Sequence, residues 1–401
     1  MTDAKIRWTL KILNLLGSPL YIMKPHVVVS IGCRTVALSL EWGVCGDSAL
    51  GLQIYGWGVL TFQKDVEEAL KWCDTGLDLA KRLNAKEVIP RVKVVLDTIS
   101  YWKEPLQAKF DCLKDNHREL MMVGEFDQLG GNALHFIRRS LVCGRNLLTS
   151  EKECAALILE LHKLRQELAL QPMISNHLSI LKLIGSNGDS EHKLNQPFFH
   201  LLKDDEINND ESLLQNALSN QLVGPLQQCY FDRLHNAFWS GNYKEAAEYA
   251  EKYEKCISTF RFLDIYKTLY LGLTAFHLSR FDGEKTSSWK VIGKNALSTY
   301  QTWVKYSEWN WENKMLLLEA EFHASEGDVK LAKAKFEASV DSAQKHRFIN
   351  EEGLARELSG RFYQENGNKE EAAKQYAYAR ECYESWGAFA LADRLSTQLN
   401  L

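Results

Sequence analysis

An all-α chain of helix-turn-helix repeats stacked into a superhelix follows from three observations. A pattern recurs after forty residues, apolar residues fall at helical spacing in nearly every segment, and there are only seven prolines in 401 residues. The pattern reads Ala320, His323, Gly327, Asp328, Ala332, Phe336 in one copy and Gly360, Tyr363, Gly367, Asn368, Ala372, Tyr376, Ala379 in the next. Each position has a physical job. The glycine ends helix A, and Asp328 or Asn368 caps helix B. The alanine lets the two helices approach closely, and the aromatic fills the space beside it. Ala372 is expected to face the preceding helix A near Gly360. This is a tetratricopeptide-like signature.

The elements follow in order. Ile6, Leu10, Leu13 and Leu16 predict a helix over 4–16, which Gly17-Ser18-Pro19 is expected to stop. Val27 to Ile31 has strand propensity, but Pro25 suits a helix start and no turn intervenes before Trp42-Gly43, so the segment reads as helix. Asp47-Ser48 can cap a helix to about Leu60, and Val66 to Leu83 follows with Ala69 in the small packing position. Further helices are expected at 85–102, with Pro90 in the first turn, and at 106–122, 126–146 and 150–170, the pattern continuing over 172–184. Gly130-Gly131 is a weak spot in the third of these four. Gly185 to Asn195 and the acidic run Lys203 to Ser212 read as exposed connections, with a short helix around Phe198, Phe199, Leu201 and Leu202 between them.

From Leu213 the repeats are plainer. Leu234, Ala237, Gly241, Asn242, Tyr243, Ala246 and Ala250 give a third copy, with Gly241 lying 86 residues before Gly327. That leaves room for one further pair, helix A near Asp264 to Ser279 and helix B near Thr286 to Tyr306. A last helix, Ala388 to Leu399, would cover the exposed end of the array. The expected organisation is therefore 1–184, N-terminal helical repeats; 185–212, a polar and acidic connection; and 213–401, the C-terminal repeats with their capping helix. No sheet of three or more strands is expected.

Composition narrows the function. Hydrophobic residues at 45% exclude a mostly disordered chain. A net charge of −4 and a pI near 6.3 leave no broad basic surface for a nucleic-acid backbone. Nine cysteines, scattered singly with no CxxC pair, suit buried thiols in a reducing, cytoplasmic setting. The N-terminal apolar runs are interrupted by Lys11, Asn14, Pro19, Lys24, Pro25 and His26, so neither a membrane span nor a targeting segment is expected.

No site motif emerges. Gly283-Glu284-Lys285-Thr286 lacks the glycine that a phosphate loop needs five residues earlier, where Leu278 stands, and reads as a polar turn. No HExxH, GxSxG or kinase catalytic-loop pattern occurs. The acidic run lacks alternating calcium-ligand spacing. His135, His162 and His177 lie in helical patterns that suit structural roles, and Cys143 and Cys382 have no identifiable histidine partner. The aromatics Trp289, Tyr300, Trp303, Tyr306, Trp309 and Trp311 suit packing between repeats as a set. Trp309 and Trp311 flank Asn310 at an expected turn, so Trp309, Asn310 and Trp311 are the residues assigned to partner binding. No catalytic, cofactor-binding or metal-ligating residue is assigned, and no cofactor is expected.

At Asn310-Trp311 with Lys314, Leu317, Ala320 and Glu321, at Asn350 to Leu358, at Phe362-Tyr363 and at Arg380 to Ala388, the sequence resembles a known family. It is similar to the helical-repeat region of very large signalling proteins. In those proteins a serine/threonine-kinase-like domain and a predicted AAA-type (STAND-class) ATPase precede the repeats, and a GAF sensor and a histidine kinase follow them. The family has a Cys-Pro pair where this chain has Ser307-Glu308. The resemblance implies a signalling context and a protein partner, an ATPase or kinase module. It carries no activity onto these residues, so the chain is expected to be a split, truncated or stand-alone copy of the repeat region. The functional expectation is a non-catalytic interaction and regulatory scaffold; the alternative is a small enzyme with a site in the central region, 105–225.

Overall fold

Every regular element in the computed structural model, which describes residues 1–185, 210–256, 261–283 and 285–399, is helical. The first half contains α1 (Ala4–Leu15), α2 (Gly17–Met23), α3 (Pro25–Trp42), α4 (Gly46–Gln63), α5 (Val66–Arg82) and α6 (Ile89–Ser100). After a short 3-10 turn, Leu106–Lys109, come α7 (Phe110–Val123), α8 (Phe126–Val142), α9 (Leu147–Lys163) and α10 (Glu167–Ile184). The second half contains α11 (Asp210–Ser219), α12 (Val223–Trp239), α13 (Tyr243–Glu254), α14 (Phe262–Phe281) and α15 (Thr286–Trp303). It continues with α16 (Glu308–Ser325), α17 (Val329–Lys345), α18 (Ile349–Glu365), α19 (Lys369–Trp386) and α20 (Phe389–Leu399). No helix among the described residues is long and apolar enough to cross a membrane.

The pairs α12/α13, α14/α15, α16/α17 and α18/α19 pack as neighbours and stack one on the next. Gly241, Gly327 and Gly367 close three of the hairpins at φ 78°, 78° and 79°, in the left-handed region that glycine reaches without steric cost. Asp328 and Asn368 accept hydrogen bonds from the amides of Leu331 and Glu371 at 3.0 and 3.1 Å, which satisfies a first-turn donor in each helix B. Ala246, Ala332 and Ala372 are buried. A β-carbon added at Gly360 would lie 2.8 Å from the Tyr376 ring, and one added at Gly353 would lie 2.6 Å from the Tyr383 ring. That antiparallel register corrects one expectation: Tyr376, not Ala372, faces Gly360, and Ala372 sits a turn nearer the hairpin.

Three local readings change in the first half. Helix α1 ends at Leu15, as expected, but Gly17-Ser18-Pro19 also begins a new helix, because Pro19 is the third residue of α2, where an amide has no intrahelical acceptor to lose. The helix expected over 150–170 is broken at Arg165, φ 56°, into α9 and α10, and Pro172 lies inside α10. Gly130-Gly131 does not interrupt α8, and Gly130 brings it against α10: a β-carbon there would lie 2.5 Å from that of Ala169. Val27 to Ile31 lies within α3, with Pro25 as its first residue.

The short helix expected around Phe198 to Leu202, and the acidic run before Asp210, lie outside the described residues. Asp210 pairs with Lys182, and Glu211 with Arg233 at 2.8 Å.

Candidate functional site

The three residues assigned to partner binding lie in the first turn of α16, against the first half of the chain. Asn310 is fully buried and uses three of its four hydrogen-bonding positions. Its Nδ2 donates to the carbonyls of Tyr101 and Glu104, both at 2.8 Å, and its Oδ1 accepts from the Leu106 amide at 3.0 Å. Trp311 is also fully buried, with its ring 5.7 Å from that of Trp102. Trp309 keeps partial exposure; its Nε1 donates to Gln107 at 3.2 Å and its ring lies 5.0 Å from that of His346. The wider aromatic set is largely packing: Tyr300 is buried and donates to the Ile265 carbonyl at 2.8 Å, while Trp303 lies between Tyr300 and Trp102.

The contact recurs one repeat later. Asn350, forty residues on, donates to the Val142 carbonyl at 3.1 Å. Between these two contacts the buried Lys314 ammonium bonds Glu351 at 2.6 Å and the Asn310 carbonyl at 2.7 Å, 4.0 Å from the centre of the Phe348 ring. Burial pushes the Lys314 ammonium down and the Glu351 carboxyl up, and their mutual attraction opposes both shifts. Asn310 and Asn350 thus fix the N-terminal ends of successive A helices to the loop after α6 and to the last residue of α8. Periodicity alone could not reveal this, because it reports which face is buried and not which distant loop buries it.

The opposite ends of the A helices form a charged edge. Arg280 of α14 pairs with Glu321 of α16 at 2.8 Å, and Arg361 of α18 reaches Glu321 at 3.9 Å and the Tyr243 hydroxyl at 2.7 Å. Arg394 of α20 grips Glu357 of α18 with two bonds of 2.9 Å, and Glu365 lies 3.7 Å from Arg280. Burial, with Arg361 and Arg280 adding to it, pushes His277 beside this edge down to about 3, so it is neutral at pH 7.

A third feature is a cavity of about 120 Å³ between the first helices, α8, α10 and the start of the array. Its walls are mainly apolar, and Arg138, His135 and Arg261 also line it. Burial pushes His135 down to about 4 and Arg138 down to about 10. A larger cleft of about 420 Å³ runs between the halves, lined by Lys64, Trp102, Thr299, Trp303 and Tyr306. Burial holds the Cys143 and Cys382 thiols up at about 12, away from the thiolate that a nucleophile requires. No cluster of three metal-ligating side chains occurs among the described residues.

No family model matches the chain, and no curated protein matches it. Among solved structures, it is similar to a circular tandem repeat protein with novel repeat topology and enhanced subunit contact surfaces. That match has 14% identity and a TM-score of 0.18, and covers 98% of this chain and 95% of the other. At that TM-score the match supports no argument. The helices and contacts described above carry the conclusion by themselves: the chain is an all-α helical-repeat protein.

Proposed function

We propose that the chain is a non-catalytic protein-interaction and regulatory scaffold, acting in signal transduction in the cytoplasm beside an ATPase or kinase module. The observation that supports this reading is the charged edge, where stacked helices bring Arg280, Glu321, Arg361, Glu357 and Arg394 into one series of alternating sign. The inner members are buried in their own pairs, and the outer ones, Arg394 and Glu365, at 29% and 30% exposure, offer a partner electrostatic register, which governs specificity more than affinity. In this reading residues 213–401 form the interaction array, 1–184 the base that stiffens it and 185–212 the connection between them. Trp309, the one residue of the assigned three with surface to spare, contributes an aromatic contact from the other edge. The alternative, a small enzyme, draws on the cavity beside His135 and Arg138, which falls partly in the central region.

The test is affinity capture from the native cell with the full chain, the Trp309→Ala and Glu365→Lys variants, and Trp311→Ala as a packing control. Loss of a true aromatic anchor is worth about 2 kcal/mol, so Trp309→Ala is expected to weaken retention of an ATPase or kinase roughly thirtyfold. Trp311→Ala is expected to lower the melting temperature instead. Retention of no protein, together with turnover of a small molecule by the purified chain, replaces the scaffold with the enzyme.

A further inference from the structure

We propose that the cavity between the two halves is a binding site for a small monocarboxylate with an apolar body. Two buried cations that form no ion pair among the described residues point to a ligand. Arg138 of α8 and Arg261, the residue before α14, are each only 4% exposed, and both line the cavity. Among the described residues neither forms an ion pair. Arg138 donates through Nε to Gln228 at 2.8 Å, and Arg261 through Nη2 to the Tyr21 carbonyl at 3.2 Å. Both Nη groups of Arg138, and Nε of Arg261, have no acceptor among the described residues.

The buried neighbouring carboxylates are committed elsewhere, and Asp127, which also lines the cavity, is exposed to solvent. Asp97 is held by Arg139, Asp264 accepts from the Tyr253 hydroxyl at 2.9 Å and from the Arg261 amide at 2.5 Å, and Asp232 accepts from Gln228 at 3.0 Å. Each guanidinium also feels the other, since the charge of Arg261 adds to burial in lowering Arg138. Two desolvated like charges facing one space are costly unless an anion joins them. His135, on the same wall, is neutral near pH 7 and adds no third charge.

The remaining lining sets the ligand class. Val28, Leu50, Ile54, Trp57, Val94 and Leu134 supply an apolar wall. A carboxylate is planar and presents two oxygens, which suits recognition by guanidinium forks, while the apolar wall takes the body of the molecule. An empty apolar space of roughly 150 Å³ accepts a benzene ring, so about 120 Å³ limits the body to a single ring or a short branched chain. Because Arg138 belongs to the first half and Arg261 to the second, the bound carboxylate would bridge them.

The experiment titrates the full chain with benzoate and with 3-methylbutyrate, by calorimetry and by thermal shift, and with benzamide as the uncharged isostere. Benzoate or 3-methylbutyrate is expected to bind saturably and raise the melting temperature, with benzamide at least about tenfold weaker than benzoate. Arg138→Met and Arg261→Met are each expected to weaken carboxylate binding at least about tenfold without lowering the melting temperature of the unliganded chain. Gly131→Leu, whose β-carbon has ordinary space 3.5 Å from Val94, is expected to fill the cavity and abolish binding. If Gly131→Leu fails to fold, the arginine variants decide the outcome. The proposal is overturned if neither carboxylate binds the wild-type chain at millimolar concentration, if benzamide binds as well as benzoate, or if both arginine variants keep wild-type affinity.

Discussion

The two halves of the chain pack their helices closely by different means. In the first half, glycines on α4 and α5 meet backbone or β-branched neighbours. A β-carbon at Gly76 would lie 2.6 Å from the Ala49 carbonyl oxygen, one at Gly56 would lie 2.8 Å from that of Ala69, and one at Gly51 would lie 2.1 Å from a Thr35 methyl. In the second half, three glycines at close contacts meet rings, Gly293 with Phe276, Gly353 with Tyr383 and Gly360 with Tyr376, while Gly272 meets the side chains of Ala296 and Leu318. Small-against-aromatic packing leaves a mark in sequence, because the ring must recur at a fixed distance from the turn. Small-against-backbone packing leaves almost none, since the neighbour is a carbonyl that every residue has. The junction between the halves uses a third means, buried polar side chains such as Asn310, Asn350 and Asp232.

The largest expected effect tests the buried ion pair between α16 and α18, beside that junction. Lys314→Met strands Glu351 in the interior and is expected to cost about 3 to 5 kcal/mol, most of which Lys314→Met with Glu351→Leu should recover. Denaturant midpoints of the single and double variants measure this; equal losses in both would mean that a stranded Glu351 carboxylate is not the source of the cost.

Within the array, Ala372→Leu is expected to overpack the end of the last pair and cost about 1 to 3 kcal/mol, against less than about 0.5 kcal/mol for Lys369→Ala on the exposed first turn. Similar unfolding midpoints for the two would refute the register that places Tyr376 over Gly360.

The junction should also respond to pH. Burial raises Asp232 from 3.8 to about 7, so the folded state binds its proton more tightly than the unfolded chain does. The resulting stability is complete below pH 3.8 and is lost as pH rises through 7. Asp232→Asn removes the ionisation and is expected to gain about 2 kcal/mol relative to wild type between pH 5 and pH 8. A stability difference that stays flat over that range contradicts the assignment.

The smallest effect compares the two kinds of close packing directly. Gly76→Ala must displace backbone and Gly360→Ala only a ring edge, so the first is expected to cost about 1 kcal/mol more in matched unfolding curves. Equal costs would remove the distinction between the halves.

What the sequence determined by itself was local and periodic. Helical spacing identified helices in nearly every described segment, α2 excepted, including the strand-like Val27 to Ile31, and the turn glycines with their caps located the array from Leu234 onward. Those features depend on a few neighbouring residues and on the 3.6-residue period, so they are written in the chain order. Position 310 marks the limit. The pattern singled out Trp309, Asn310 and Trp311, but only the folded chain shows Asn310 bonded to a loop more than 200 residues away, with Trp311 buried behind Trp102. The cavity with its two unpaired arginines was equally hidden. Arg138 and Arg261 lie far apart in sequence and share no period, and the absence of a direct ion pair is a property of the surrounding space that tertiary packing alone decides.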